Sequence, residues 1–188
     1  MVDKAVFIID NLLNTPYILW TKDTIGCGYQ AYVSHDNIPD FDIIIENGIN
    51  CVGLINLIRR YLSLEIPGLN ENKLYAGGTF EWFKYLKKFK KLKKFNSKKI
   101  YPVGTLLIRN FKNEIDQGHV AVIYESNSKG ILFSKVAHAY YNTIFDYDNK
   151  DKKLLPGLVI DEFVNDSHNW FEGGTYTHVC YPDEWLLV

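Results

Sequence analysis

The apolar pattern of this chain changes period once, at Tyr101-Pro102-Val103-Gly104. Upstream of that point apolar residues recur at helical spacing, and downstream they alternate as in half-buried strands. A helix buries a stripe and a strand buries every second side chain, so helices followed by strands predict an α+β fold. In that arrangement the N-terminal helices pack on one face of a C-terminal antiparallel sheet. With 188 residues, 47% hydrophobic and 23% charged, the chain can bury the core of one domain but hardly of two, and 1–188 is read as a single unit. Its 21 Lys+Arg against 22 Asp+Glu exclude a disordered polyelectrolyte, and the longest apolar runs are too short to span a bilayer, so a soluble protein is expected. Asp10 interrupts the apolar patch of Met1–Leu13, which reads as mature protein rather than a secretory leader. Three cysteines, Cys27, Cys51 and Cys180, without a C-x-x-C pair, favour a reducing, intracellular setting over a disulfide framework or a zinc site.

Val2, Ala5, Val6, Ile8, Ile9 and Leu12 share one helical face behind a possible Asp3 cap, and Asn14-Thr15-Pro16 stops the pattern. Residues 21 to 50, with Gly26, Gly28, Pro39 and Gly48, read as a long irregular connection around the short run Ile43-Ile44-Ile45. Asn50 is a plausible N-cap for a helix from Cys51 to Leu62, ended by Pro67-Gly68. A second helix is expected from Thr79 to Phe95, with Trp82, Leu86, Phe89 and Leu92 facing inward and lysines outward. Nine lysines and no acids lie between Lys84 and Lys99; without them the net charge of −1 becomes about −10. Strands are expected over Thr105–Arg109, His119–Tyr124, Ile131–Tyr140, Gly157–Phe163 and Tyr176–Tyr181, and residues 146 to 153 read as a solvated loop.

A cysteine in the first turn of a helix sits beside unpaired N–H groups and the positive end of the dipole, which favour its thiolate and lower its pKa. Cys51 has that placement, and the same N–H groups could hold an oxyanion. Position alone equally allows Cys51 to be a small buried hydrophobe. His119 opens one expected strand and His138 closes the next, across a turn around Asn127 to Gly130. Alternation puts His119 with Ala121 and Ile123, and His138 with Val136, and leaves the register open. Each histidine alone could be a satisfied core residue. A cysteine at a helix start followed by two strand histidines fits the nucleophile, base and orienter of a thiol hydrolase.

These elements, taken in order, resemble the NlpC/P60 cysteine peptidases, a branch of the papain-like hydrolases. Asn14-Thr15-Pro16-Tyr17 looks like the family's Pro-Tyr element, and Asn50-Cys51-Val52-Gly53-Leu54 is similar to its Asp-Cys-Ser-Gly-Leu nucleophile motif. Pro102-Val103-Gly104-Thr105-Leu106-Leu107 resembles the Gly-Asp-Leu strand, Gly118-His119-Val120-Ala121-Val122 the Gly-His-Val-Gly segment, and Ala137-His138-Ala139 the His-Ala that supplies the third position. The resemblance implies a papain-like catalytic domain in which Cys51 is the nucleophile, His119 the general base and His138 the residue orienting its imidazole. Tyr17 would stand near the oxyanion, with Tyr29 as the alternative because the connection to Cys51 is longer than usual. Asn50 replaces the family's Asp, Val52 replaces its Ser, and the lysine-rich helix at about 79–99 is an insertion. The implied activity is hydrolysis of an amide bond in a cell-wall or other peptide, without cofactor, in a divergent intracellular, viral or effector-like host setting.

The Lys84 to Lys99 face could dock on anionic lipid or nucleic acid, although the scarcity of arginine speaks against base readout. That face keeps two other functions open: an acyltransferase or lipid esterase of the same superfamily, and a catalytically silent module that binds through the helix. Trp170, with His168, would lie on a rim loop near Gly173-Gly174 and contact substrate. Cys27 reads as incidental, and Cys180 as a buried strand cysteine sharing a face with His178. His35 with Asp36, Asp40 and Asp42 lacks the spacing of a defined metal site, and no metal is expected.

Overall fold

The computed structural model describes residues 1–17, 38–68, 78–110, 112, 118–140, 157–163 and 176–187. The helical periods form α1 (Val2–Asn11), α2 (Phe41–Asn47), α3 (Cys51–Tyr61) and α4 (Thr79–Lys88). The alternating segments form β2 (Leu106–Arg109), β3 (His119–Glu125), β4 (Lys135–Tyr140), β5 (Gly157–Glu162) and β6 (His178–Cys180), with a two-residue β1 (Lys93–Lys94) before them and a short α5 (Pro182–Trp185) after. Every pairing is antiparallel and the strand order is β1-β6-β2-β3-β4-β5. The expected α+β class therefore holds. Leu106, Ile108, Val120, Val122, Ala137 and Ala139 bury one sheet face in a core shared with α1, α3, α4 and α5. The other face carries a second cluster that includes Tyr101, Leu107, Ala121, Ile123, Val136 and Phe163.

Helix α3 starts where the sequence places it because Asn50 caps it: its Oδ1 accepts the Gly53 N–H at 2.7 Å. Cys51 through Arg59 are all buried, so this helix is enclosed rather than amphipathic. Its one charged buried residue, Arg59, donates Nε–H to the Glu65 carbonyl at 2.9 Å, Nη2–H to the same oxygen at 2.6 Å and Nη1–H to the Trp185 carbonyl at 2.6 Å. Its guanidinium also lies 5.6 Å from the Trp82 ring. Asn56 Oδ1 accepts the Trp82 indole N–H at 2.8 Å, and Trp185 donates to the Gly104 carbonyl at 2.8 Å. These bonds join α3, α4, α5 and the turn into β2.

Three expectations need correction. The stretch read as irregular contains α2, in which Ile44 alone of the three consecutive isoleucines is buried, while Phe41 stacks on Tyr61 at 5.2 Å. A single buried position with an aromatic contact gives too short a period to recognise in sequence. The second helix ends at Lys88, not Phe95: Lys90 takes a left-handed φ of 57°, and Lys93 and Lys94 pair with Val179 and His178 as an edge strand. Lysines repeated at helical spacing repel one another, and the open edge of β6 offers the backbone partners. Trp82 and Leu86 are buried as expected, but Phe89 is 47% exposed. Ile131–Phe133 form a 3₁₀ turn before β4 begins.

The segment after α1 is tied to both the sheet and α3. Asn14 donates its N–H to the Leu158 carbonyl and Leu158 donates to the Thr15 carbonyl, both at 2.9 Å, while Ile49 donates to the Pro16 carbonyl at 2.8 Å. A Cβ on Gly157 would stand 2.6 Å from the Thr15 carbonyl oxygen, so this close approach requires glycine.

Truncating Arg59 removes the donors from the buried Trp185 carbonyl and the part-buried Glu65 carbonyl. Arg59→Ala is expected to cost about 3 kcal/mol, from lost bonds of about 1–3 kcal/mol per unsatisfied group. Lys4→Ala on an exposed position should stay within about 0.5 kcal/mol. Urea denaturation midpoints of the two variants check the difference.

Candidate active site

Residue Cys51 is the first residue of α3 and 9% exposed. The backbone N–H groups of Val120, of Val52 and of Cys51 itself each favour its thiolate. Asn50 already occupies the Gly53 N–H, so the helix donors that act on the thiol are the two that precede it, beside that of Val120. Residue Arg109 is the cross-strand partner of His119 and 4% exposed, and its positive charge also acts on the thiol.

The register of β3 on β4 pairs Val122 with Ala137 and Ile123 with Val136, which puts His119 and His138 on one sheet face. His119 Nε2 and His138 Nδ1 are 3.1 Å apart, both rings are buried, and His138 stacks on Tyr140 at 4.9 Å. The other nitrogen of His138, Nε2, lies 3.3 Å from Asp161 Oδ2 on β5. Tyr176 stands 5.9 Å from the His119 ring. The two histidines singled out in sequence are thus brought together directly, and the N–H of Val120, next to His119 on β3, acts on the Cys51 thiol. Tyr17 forms a parallel bridge with Ile49, two residues before Cys51. Burial, then the charge of Cys51, raise its phenol pKa, so it stays a hydrogen-bond donor. The alternative Tyr29 and the rim residue Trp170 lie outside the described residues, as do Cys27, His35 and His168.

Electrostatics correct one expectation. The helix start was expected to lower the Cys51 pKa, yet burial pushes the thiol up to about 11, against the lowering effects of the nearby N–H groups and Arg109. The magnitudes decide this: a helix terminus contributes about 0.3–1 kcal/mol, less than one pKa unit, whereas burial shifts a group by up to several units. His119 moves the other way, held well below its ordinary range by burial first, then by His138 and Arg109. At neutral pH the arrangement holds a thiol and a neutral imidazole. Burial thus disfavours an ion pair between them at rest.

Asp161 and Arg109 were not singled out in sequence. The signal was present: each is the one charged residue that closes an apolar run, Leu106-Leu107-Ile108-Arg109 and Leu158-Val159-Ile160-Asp161. Cys180 is fully buried, with its thiol pushed up to about 12 by burial, and His178 packs edge-on against Phe83 at 5.0 Å. Among the described residues no group of three or more His, Cys, Asp or Glu converges to hold a metal ion, and no helix is long and apolar enough to cross a membrane. Neither a family model, nor a curated protein, nor a solved structure matches this chain.

The site leaves a mark on stability. His119, with its folded pKa lowered, binds fewer protons folded than unfolded, so stability is lost as pH falls below the free imidazole value of about 6.5. Cys51, with its folded pKa raised from 9.0 to about 11, binds more protons folded, so stability is lost as pH rises across that window. Chemical denaturation from pH 4 to 11 should give a plateau between these limits. The acid slope should flatten in His119→Gln and the alkaline slope in Cys51→Ala.

Proposed function

We propose that the protein is a thiol hydrolase of papain-like, NlpC/P60 type, acting on an amide bond. The observation that carries this reading is the placement of Cys51 at a capped helix start, where the Val120 N–H beside His119 acts on its thiol, with His119 and His138 3.1 Å apart. His119 uses Nε2 toward His138, so proton exchange with the thiol falls to Nδ1. The Cys51 sulfur attacks the carbonyl carbon as its proton moves to His119. The N–H groups of Cys51 and Val52 stabilise the oxyanion, with the Tyr17 hydroxyl as a further donor. The C–N bond breaks as His119 returns the proton to the leaving amine, and water then cleaves the thioester to regenerate the thiol and release a carboxylic acid. His138 holds the imidazole in place throughout. The peptide substrate and the class of acceptor belong to the same reading, and transfer to an alcohol or amine in place of water would make the same site an acyltransferase.

A second reading rests on α4. Phe80, 49% exposed, lines with Phe83, Lys84, Lys87, Lys88 and Asn110 an open groove of about 390 Å³, so apolar and cationic groups face outward together. That mixture suits an anionic lipid surface better than base readout. Binding to anionic vesicles should fall steeply with added salt, and salt-independent or absent binding removes this reading.

p-Nitrophenyl acetate tests the main reading without knowledge of the substrate. A burst of p-nitrophenolate with the acetyl group on the Cys51 peptide is expected, absent in Cys51→Ala and slowed about a hundredfold in His119→Ala. A Cys51→Ala protein that retains the full burst ends the proposal.

A further inference from the structure

We propose that Asp161 is a positioning residue that sets the tautomers of both histidines, so that His119 presents an unprotonated Nδ1 to the Cys51 thiol. This rests on the thiol hydrolase reading and adds a residue to it. A neutral imidazole carries one proton, so two bonded imidazoles admit two arrangements. In one, His138 carries its proton on Nε2, its Nδ1 accepts from His119 Nε2–H, and His119 Nδ1 holds a lone pair. In the other, His138 donates from Nδ1, and the proton of His119 sits on Nδ1, where it can no longer accept one from sulfur. The second nitrogen of His138 distinguishes them, and it lies 3.3 Å from Asp161 Oδ2. A carboxylate accepts and cannot donate, so it selects the Nε2–H form of His138 and, through the 3.1 Å contact, the Nε2–H form of His119. The opposite arrangement would point a nitrogen lone pair at the carboxylate. The His138 side chain is 1% exposed, and that of Asp161 is 33% exposed on β5, where substitution leaves the core intact. Alternation along β4 and β5 fixes the geometry: Val136 pairs with Asp161 and His138 with Val159, so the carboxylate and the ring are diagonal neighbours on one face.

Long-range ¹⁵N–¹H correlation spectra of histidine-labelled protein read the tautomers directly, and p-nitrophenyl acetate reads the base. Both rings should be Nε2–H in the native protein. Asp161→Ala should show mixed tautomers for His119 and His138 and a burst slowed about tenfold, the scale of a lost orienting partner. Asp161→Glu, which keeps a carboxylate, should restore both. His138 protonated at Nδ1 in the native protein overturns the proposal, as does Asp161→Ala with native tautomers and a native burst. Native tautomers as predicted, responding to Asp161→Ala, but with no acetylation of Cys51, would uphold the tautomer lock while removing the hydrolase reading.

Discussion

Burying a guanidinium is the constraint on which the helical layer turns. Arg59 lies in the buried stretch of α3, and an unpaired charge there would cost several kcal/mol. Among the partners that meet that cost, Glu65 O and Trp185 O accept three N–H groups, Tyr85 hydrogen-bonds the guanidinium, the Glu65 carboxylate favours its charge, and the face of Trp82 lies alongside. The partners belong to different parts of the chain, so satisfying one side chain fixes α5 and the turn after α3 against the helix, with α4 alongside. Asn56 does the same at one remove through the Trp82 indole. An enclosed α3 in turn holds Cys51 at the sheet with little freedom.

The same enclosure sets the chemistry. A thiol exposed at a helix terminus would ionise more easily, but here desolvation exceeds the terminus and Arg109 together and leaves the sulfur protonated. His119, in the same low-dielectric setting, stays neutral. Burial therefore moves both groups toward their uncharged forms, and the polar groups around them are the backbone amides at the thiol and, at the imidazole, His138 with Asp161 beyond it. In such a site orientation and tautomer count for more than the resting charge.

The sequence made much of this legible where one physical signal dominated. The capped start of α3, the buried side of α4 at Trp82 and Leu86, and the five longer strands follow from Asn50, helical spacing and alternation. The pairing of His119 with His138 was open until the register was known, because a one-residue slip would send one ring to the helical face. What the pattern could not supply was competition between partners. The lysines after Lys88 read as helix until the edge of β6 is present to take Lys93 and Lys94, and Asp161 reads as the polar end of a strand until β4 brings His138 beside it. The Cys51 pKa failed for a related reason: the helix start is local and visible in sequence, while the burial that outweighs it belongs to the tertiary structure.

The segment Asn14–Tyr17 shows how the site is held without a covalent staple. Asn14 and Thr15 exchange backbone bonds with Leu158 on edge strand β5, and Pro16 and Tyr17 continue to Ile49, two residues before Cys51. One short stretch thus spans from the strand that carries Asp161 to the helix that carries the thiol. Gly157 makes the approach possible, since any Cβ would meet the Thr15 carbonyl. The distance between the carboxylate end and the sulfur end of the chain of groups is consequently set on both sides, by sheet register through β3, β4 and β5 and by this strap around the edge. A strand edge that would otherwise offer unpaired backbone groups to another chain is used instead to fix the placement of Cys51.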